Sequence, residues 1–287
     1  MKNFIFAKTD VSDLKLSKGH KTLLKFIAEN YDKAAFMTAS KLGEKVGLSE
    51  STVVRFANIM GFKGYPELQK ELQRMVKSKL TSVQRMEVSD SLVADENAVI
   101  KLMNADIGLI RDTIENVSQI DFNKAVSEIN NAKRIYILGA RSSSALARFM
   151  YFYLNPVFEN VVLVETTSEG EMFEQMFRIG KEDICIALSF PRYSNQTINA
   201  LRFASDRGAK TVAITDSDES PIAKLADILL VARSSIVSVV DSLVAPLSLI
   251  NALVAAVTFS RREEAYNNFN ELEHIWDEYQ VYEKTEE

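Results

Sequence analysis

The spacing of apolar residues divides the chain into two regions with different periods. Up to about residue 86, apolar residues recur every three or four positions, as in Leu23, Leu24, Ile27 and Tyr31. That spacing predicts amphipathic helices. Beyond residue 131, short apolar runs alternate with longer helical stretches. This second pattern predicts buried strands joined by helices, so we expect an all-α domain followed by an α/β domain.

Two predicted helices lie close together near the start of the chain. The pattern predicts a helix over residues 38–46, a tight turn over Gly47–Leu48–Ser49 and a second helix over residues 50–60. A threonine and a serine stand at the two helix starts, where such residues act as N-caps, and the glycine suits the left-handed position that ends the first helix. A short glycine-containing turn between two helices is the layout of a helix-turn-helix.

The second of these helices has one apolar face and one polar face. Val53, Phe56, Ala57 and Met60 recur at helical spacing and are expected to face the core. The opposite face is short, polar and basic, as in a helix that reads DNA. The predicted DNA-binding set combines this polar face with the serine at the helix start and a lysine on either side of the helix. Its members are Lys41, Ser49, Ser51, Thr52, Arg55, Asn58 and Lys63.

These residues have different expected roles on DNA. Arg55 can make a bidentate contact to guanine or hold a phosphate. The amides at the helix start near Ser49 favour a phosphate oxygen. Lys41 and Lys63 are expected to contact the DNA backbone rather than the bases. The alternative is the solvated polar face of an ordinary helix, and the residues alone leave that alternative open.

The net charge of −5 conceals an uneven distribution of charged residues. Residues 1–86 contain 16 Lys and Arg against 8 Asp and Glu, a net +8, while the remaining residues contain 18 against 31, a net −13. A basic N-terminal domain joined to an acidic remainder indicates that only the first part meets a polyanion such as DNA.

Five short apolar runs in the second region predict a parallel sheet with helices on both faces. The predicted strands are residues 134–138, 161–165, 183–189, 211–215 and 227–232. Ligands of such sheets bind at the carboxyl ends of the strands. Candidate ligand-binding residues are therefore expected in the segments that directly follow these runs.

Two of those segments are rich in hydroxyl groups. Gly139–Ala140–Arg141–Ser142–Ser143–Ser144 follows the first strand, and residues 189–197 follow the third. Hydroxyls and free amides at a helix start form an anion site, and phosphate is its usual occupant. The alternative is that these serines only cap helices. The first loop lacks the three glycines of a dinucleotide fingerprint, and the chain has no P-loop motif and no Cys/His cluster, so we expect neither cofactor nor metal.

With both regions considered, the chain resembles the RpiR/MurR family of bacterial transcription regulators. The N-terminal resemblance rests on LGEKVGLSESTVVRFANIMGFKGYPEL, and the C-terminal one on YILGARSSSALA, ALSFPRYSNQT and GAKTVAITDSDESPIAKLADILL. Members of this family join a helix-turn-helix to a SIS (sugar isomerase) domain. The resemblance implies a homodimer or homotetramer that binds operator DNA, in the form of an inverted repeat, and that senses a phosphorylated sugar or sugar acid.

The resemblance also implies which residues hold the effector. Carried over by position, the hydroxyl-bearing residues are Ser142, Ser143, Ser189 and Ser194. The chain departs from the family pattern where arginines replace two glycines and a proline replaces a serine. Either a guanidinium helps to hold the phosphate, or the ligand carries a second acidic group, and the sequence leaves both open. The predicted effector-binding residues are Arg141, Ser142, Ser143, Ser189, Arg192 and Ser194.

Two other functions compete with that of a ligand-controlled regulator. SIS domains also occur in sugar-phosphate isomerases, which need a general base and ring-opening groups. The chain has two histidines, His20 and His274, and both lie away from the predicted site. Glu165 at the end of the second predicted strand, and Glu169 and Glu171 after it, could act as a base or could bond sugar hydroxyls. The third reading is an architectural DNA-binding protein with a degenerate SIS domain. We expect no catalytic residues and no enzymatic activity.

The predicted layout is multidomain, α and α/β. It consists of a helix-turn-helix domain (1–86), a helical connector (87–131), a SIS-like effector-binding domain with a five-stranded parallel sheet (132–260) and a C-terminal helix (261–287). The single cysteine fits a reducing compartment, and no leader or membrane span is expected. We therefore expect a cytoplasmic protein. The family resemblance further implies that it regulates a carbohydrate or amino-sugar utilisation operon.

Overall fold

The computed structural model describes residues 16–77, 80–86, 97–236 and 241–283. The chain divides into two compact units. The first comprises residues 1–98 together with 236–241, and the second comprises residues 99–235 and 242–287. The inclusion of 236–241 in the first unit is a feature that the sequence pattern did not indicate. The connector segment 87–96 lies outside the described residues.

The first unit is helical in all its main elements. Its helices are Lys18–Glu29 (α1), Tyr31–Ala34 (α2), Ala39–Val46 (α3), Glu50–Ile59 (α4) and Tyr65–Lys77 (α5), with a further short helical segment at residues 82–86. Leu23, Ile27, Leu42, Phe56 and Leu68 are fully buried in one core. The helix-turn-helix predicted from the apolar spacing is therefore confirmed as α3, a turn and α4.

The turn between α3 and α4 has the backbone that its sequence predicts. The Thr38 hydroxyl accepts a hydrogen bond from the Lys41 N–H (3.2 Å) and so caps α3. Gly47 ends α3 with φ 69°, in the left-handed region that costs an L-residue roughly 1–2 kcal/mol. The glycine therefore lets the chain reverse within three residues and sets the crossing of the two helices.

One predicted cap differs from the structure. Ser49 begins α4, but its hydroxyl makes no capping hydrogen bond to the helix. It is bonded instead to the hydroxyls of Ser51 (3.0 Å) and Thr52 (2.9 Å). Because three neighbouring hydroxyls satisfy one another, the side chain of Ser49 is turned away from the backbone amides of the first turn.

The second unit contains the predicted parallel sheet. Its strands are Ile135–Gly139 (β1), Val161–Val164 (β2), Ile184–Leu188 (β3), Lys210–Thr215 (β4) and Ile228–Val231 (β5). All four pairings are parallel and the order is β2-β1-β3-β4-β5. Two short strands, Ser235–Ile236 (β6) and Asp241–Ser242 (β7), pair separately. The five-stranded α/β architecture predicted from the apolar runs is confirmed.

Helices cover both faces of this sheet. The helices that follow the first unit are Ala98–Asn116 (α6), Gln119–Asn131 (α7), Ser143–Leu154 (α8), Glu169–Met176 (α9), Asn195–Asp206 (α10), Val244–Ser260 (α11) and Arg262–Glu278 (α12). Ile137 and Ile186 pack in the core of one face with α7, α8 and α11. Leu138 and Cys185 pack on the other face with α9 and α10. Burial raises the pKa of the Cys185 thiol to about 12.

The C-terminal helix is shorter than the sequence predicts. The sequence predicts a C-terminal helix over residues 261–287, but α12 ends at Glu278, and Gln280 just beyond it has a positive φ of 53° that does not continue a helix. Among the described residues, no single helix is both long and apolar enough to cross a membrane; α11 and α12 reach that length and composition only as a pair bent by 98°. The inner face of α11 is core, since Ile250, Leu253 and Val257 are fully buried.

An ion pair fastens the strands at the edge where β1 and β3 begin. Arg134 donates two hydrogen bonds to the Asp183 carboxylate (3.0 and 2.8 Å), and the Gly180 N–H donates a third (2.8 Å). Asp183 is buried, and its hydrogen bond to Arg134 raises the pKa of that guanidinium.

We predict that Asp183→Ala lowers the free energy of unfolding by about 2–3 kcal/mol, because it leaves the partly buried donors of Arg134 and Gly180 without their acceptor. Glu182→Ala is the matched control. Its carboxylate pairs with Lys133 on the exposed surface, so its loss is expected to cost under about 0.5 kcal/mol. Urea unfolding of the full chain measures both values, and equal losses from the two variants would contradict the assignment.

Candidate functional site

The polar face of α4 lies on the surface of the first unit. Of the seven predicted DNA-binding residues, Thr52 is half-buried and the other six are exposed. Val53, Phe56 and Ala57 on the opposite face are fully buried, which fixes the rotation of the helix. The structure therefore places Ser51, Thr52, Arg55 and Asn58 on one outward face of α4, and their role in DNA binding stays a prediction.

Polar groups gather at the first two turns of this helix. The linked hydroxyls of Ser49, Ser51 and Thr52 stand at its start. The Arg55 Nε donates a long hydrogen bond (3.3 Å) to the Ser51 carbonyl oxygen, so the guanidinium is folded back along the helix. Donors of this kind beside a helix N-terminus suit phosphate oxygens and base edges. Lys63 lies beyond the helix, and its backbone N–H is bonded to Glu67 (2.6 Å).

A cavity of about 530 Å³ opens at the carboxyl edge of the sheet in the second unit. Its walls come from the segments that follow β1, β2 and β3. Most of its polar groups are hydroxyls, and its charged groups are one arginine and one glutamate. The volume lies within the range of small-molecule sites, roughly 300–1,000 Å³.

The segment after β1 turns tightly into α8. A Cβ on Gly139 would lie 2.5 Å from the Ser143 carbonyl oxygen, so the turn requires glycine at this position. Arg141 has a φ of 57° and lines the cavity. The Ser144 hydroxyl donates to the Arg141 carbonyl oxygen (2.6 Å), which holds the arginine in this left-handed conformation.

The segment after β3 contributes three further residues to the wall, Ser194, Gln196 and Thr197. The Gln196 side-chain amide donates to the Thr166 carbonyl oxygen (2.9 Å) and so ties this segment to the one after β2. Thr197 is 1% exposed, and its hydroxyl has no hydrogen-bond partner among the described residues. A buried hydroxyl in that state keeps its capacity to bond a ligand or a water.

The same segment is braced from the end of β4. The Tyr193 hydroxyl donates to the Asp216 carboxylate (2.9 Å). The Arg233 guanidinium in turn donates to the Asp216 carbonyl oxygen (3.1 Å). These contacts hold the loop after β3 to the neighbouring strand ends and so support the cavity wall.

The segment after β2 provides the acidic group of the cavity. Glu165, Thr166 and Thr167 line it, and the Glu165 carboxylate is ion-paired with Arg148 on α8. Hydrogen bonding to Glu165, and then the negative charge of that carboxylate, raises the pKa of the Arg148 guanidinium. A carboxylate so placed can accept hydrogen bonds from the hydroxyls of a bound ligand.

The six predicted effector residues occupy different positions around the cavity. Arg141 and Ser194 line it, whereas Ser142 and Arg192 are exposed outside its wall. Ser143 and Ser189 are buried and do not line it. The role of each of the six in effector binding stays a prediction.

Five polar residues of the wall are absent from the predicted effector-binding set: Ser144, Thr166, Thr167, Gln196 and Thr197. Ser144, Gln196 and Thr197 belong to the two hydroxyl-rich segments that the sequence did indicate. Thr166 and Thr167 could also have been found, because they directly follow the second predicted strand, where a parallel sheet presents its loops. Among the described residues, no group of three or more His, Cys, Asp or Glu side chains could hold a metal ion.

Two family models match the chain. The model "Helix-turn-helix domain, rpiR family" matches residues 7–79, and the model "SIS domain" matches residues 128–256. Together these models cover most of the chain and include α3, α4 and all five strands of the parallel sheet.

Two related proteins are named as transcriptional regulators. An HTH-type transcriptional regulator of Haemophilus influenzae is 27% identical over 219 residues, which cover 75% of each chain. Another, of Clostridium perfringens, is 24% identical over 214 residues, which cover 74% of this chain and 76% of the relative.

Two solved structures have a similar fold. The sugar isomerase domain of an RpiR transcription factor from Sphaerobacter thermophilus is 26% identical with a TM-score of 0.59, and covers 62% of this chain and 99% of its own. The Vibrio vulnificus NanR protein, solved in complex with ManNAc-6P, is 21% identical with a TM-score of 0.55, and covers 91% of this chain and 94% of its own. From its family models, its relatives and its fold, the chain belongs to the rpiR family of transcriptional regulators, in which a helix-turn-helix domain is joined to a SIS domain.

Proposed function

We propose that the protein controls a carbohydrate or amino-sugar utilisation operon by binding operator DNA through α4 and a phosphorylated sugar or sugar acid in the cavity. The observation that carries the proposal is the hydroxyl-lined cavity of about 530 Å³ with Arg141 in its wall. A guanidinium and several hydroxyls suit a phosphate, and the Glu165 carboxylate suits sugar hydroxyls. That NanR was solved with a phosphosugar supports the same ligand class.

In this proposal the effector and the operator bind to different units and influence each other. Such coupling is reciprocal and typically amounts to about 1–3 kcal/mol. The protein acts in the cytoplasm as a homodimer or homotetramer, and its operator is an inverted repeat, because a two-fold symmetric reader meets two half-sites.

The cavity is proposed to bind its ligand without converting it. Glu165 is the one carboxylate in the described wall, and it is ion-paired with Arg148. His20 lies on α1 of the first unit and His274 on α12, and neither lines the cavity. An isomerase would need an acid and a base that exchange protons with the sugar.

We predict that operator binding falls steeply as salt rises. Residues 1–86 carry a net +8, and each phosphate that the protein neutralises releases counterions. The slope of log affinity against log salt is expected to be about −0.9 per phosphate contacted. Binding of the full chain to its own promoter region, measured across a salt series, gives the slope. A flat dependence would refute the proposed interface.

We predict that Arg55→Ala costs more specificity than Lys63→Ala. Arg55 stands on the outward face of α4, where a lost bidentate base contact costs about 1–3 kcal/mol against the correct sequence. Lys63 lies beyond the helix, so its loss is expected to weaken all sequences about equally. Competition between the operator and a random duplex distinguishes the two. Equal weakening of both duplexes by Arg55→Ala would reassign it to a phosphate contact.

We predict that Arg141→Gly weakens the effector and leaves the fold as stable or more stable. Glycine adopts φ 57° without the cost that arginine bears there, roughly 1–2 kcal/mol, although it also loosens the unfolded chain. A charge-assisted hydrogen bond contributes about 1.5–3 kcal/mol, so affinity is expected to fall roughly 10- to 100-fold. A variant that is stable but binds normally would remove Arg141 from the site.

Thermal shift with a panel of hexose and amino-sugar 6-phosphates measures the effect of Arg141→Gly, and the unphosphorylated sugars serve as ligand controls. Arg192→Ala is the comparison variant. Because Arg192 is exposed outside the cavity wall, its loss is expected to matter less than that of Arg141. A larger effect of Arg192→Ala, or equal binding of sugars with and without phosphate, would contradict this arrangement.

A further inference from the structure

The chain passes from the second unit into the first and back again after the last strand of the parallel sheet. Residues up to 235 belong to the second unit, residues 236–241 to the first, and residue 242 to the second again. Residues 237–240 lie outside the described residues. We call residues 233–236 the outgoing crossing and residues 241–242 the returning crossing. Because both are short, little slack in the chain can absorb a shift at either end.

Side chains of the first unit anchor both crossings. Ile236 packs against the core that also buries Phe56 of α4. The Arg85 guanidinium donates to the Asp241 carboxylate (2.8 Å), and these two side chains are 5% and 9% exposed. Loss of one partner from a buried ion pair is strongly disfavoured, because the other charge stays buried. The first unit therefore holds the outgoing crossing through its apolar core and the returning crossing through a buried charge.

The arginine of this pair stands on a helical segment that is itself fixed within the first unit. Thr81 and Gln84 cap the segment 82–86 reciprocally. The Gln84 N–H donates to the Thr81 hydroxyl (3.3 Å), and the Thr81 N–H donates to the Gln84 side-chain oxygen (2.9 Å). The Gln84 amide also donates to the Asp32 carboxylate on α2 (3.3 Å). The returning crossing is therefore tied to the helices of the first unit.

In the second unit, the outgoing crossing begins beside the wall of the cavity. The Arg233 N–H donates to the Thr113 hydroxyl on α6 (2.9 Å), and its guanidinium donates to the Asp216 carbonyl oxygen (3.1 Å). The Asp216 carboxylate accepts a hydrogen bond from the Tyr193 hydroxyl (2.9 Å). Tyr193 directly precedes Ser194, which lines the cavity. A continuous set of bonds therefore leads from the cavity wall to the start of the outgoing crossing.

The returning crossing reaches the same helix of the second unit. Asp241 is anchored in the first unit, and the hydroxyl of the next residue, Ser242, is hydrogen-bonded to the Asp106 carboxylate. Asp106 and Thr113 both belong to α6, so the two crossings are bonded to one helix. A displacement of that helix or of the cavity wall is therefore expected to move both crossings together.

We propose that the two crossings couple the cavity to the DNA-binding helix. Occupation of the cavity shifts the loop after β3, and the hydrogen bonds of Asp216 carry that shift to Arg233. Ile236 and the Arg85–Asp241 pair then deliver it to the core that positions α4. The proposal rests on the proposed function, in which the effector and the operator bind to different units. Coupling between separate sites needs packed or bonded groups that respond to both, and these residues supply them.

Coupling is reciprocal, so DNA can serve as the probe and no effector has to be identified. Hydrogen exchange of the full chain is followed by mass spectrometry with and without a saturating duplex of its own promoter region. DNA is expected to change the exchange rate of the wall amides in residues 189–197 by roughly 5-fold or more, the lower end of typical coupling. Amides of residues 178–183, at the opposite edge of the sheet, are the internal control and are expected to be unaffected.

Asp241→Asn tests the anchor in the first unit. It removes the charge that pairs with Arg85 and keeps the size of the side chain, and it is expected to reduce the DNA-dependent change to under roughly 2-fold. Asp183→Asn is the matched control. It makes the same substitution in the ion pair with Arg134 (2.8 Å), which lies within the second unit and outside the crossings. It is expected to keep the full DNA-dependent change.

Arg233→Met tests the anchor in the second unit. It removes the guanidinium donor to Asp216 and keeps the length of the side chain and the backbone bond to Thr113. Because the substitution lies in the second unit, it leaves the core of the first unit intact, so a lost response cannot be ascribed to an unfolded DNA-binding unit. It is expected to reduce the DNA-dependent change as Asp241→Asn does. Circular dichroism and a promoter-binding titration check that each variant is folded and saturated with DNA.

Two outcomes would overturn the proposal. The wild-type wall could show no DNA-dependent change, in which case the two units are not coupled. The change could also persist undiminished in Asp241→Asn or in Arg233→Met, which would assign the coupling to another route, such as the connector 87–96. Failure of the proposed function is seen separately, since the exchange result would stand while no hexose or amino-sugar 6-phosphate raised the melting temperature of the wild-type chain.

Discussion

The hydrogen bonds that hold Ile184–Leu188 between two parallel neighbours position every loop of the candidate effector site. β3 pairs with β1 on one side and β4 on the other, and all five of its residues are buried. Because the strands run in the same direction, the segments after β1, β2 and β3 leave the sheet at one edge, and the cavity forms where they converge. The ion pair between half-buried Arg134 and buried Asp183 fastens the opposite edge, so this stabilising contact and the candidate ligand site are separated in space.

Backbone geometry then restricts which residue types can occupy the cavity wall. Gly139 has no room for a side chain, because the first turn of α8 approaches it too closely. Two residues later the chain needs a left-handed conformation and supplies an arginine rather than a glycine, at a conformational cost. Strain that persists in a ligand-sized cavity is consistent with a functional group held there for its charge. The positive charge of the Arg141 guanidinium also offsets the negative charge of the Glu165 carboxylate in the same cavity wall.

The two units present surfaces of contrasting chemistry. The outward face of α4 is polar and basic, and the buried face of the same helix fixes its rotation. On α6 the arrangement is reversed, since Thr113 and Asp106 make the internal contacts while isoleucines face solvent. A basic polar helix suits DNA, whereas an apolar helix face has no donor for a phosphate oxygen.

The sequence alone determined the features that depend on local chemistry. The helical spacing around Val53 and Phe56 located the helix-turn-helix, and Gly47 marked its turn. Both signals are local, because the period of an amphipathic helix and the left-handed backbone of a turn are properties of short segments. Apolar runs located all five strands for the same reason. Only the tertiary structure decided which hydroxyls reach the cavity: Ser194 lines it while Ser189, five residues earlier, is buried outside its wall. Only packing could also reveal that α6 turns its apolar side outward. Those outcomes depend on contacts between residues far apart in the chain, such as Thr113 with Arg233, and no local pattern encodes them.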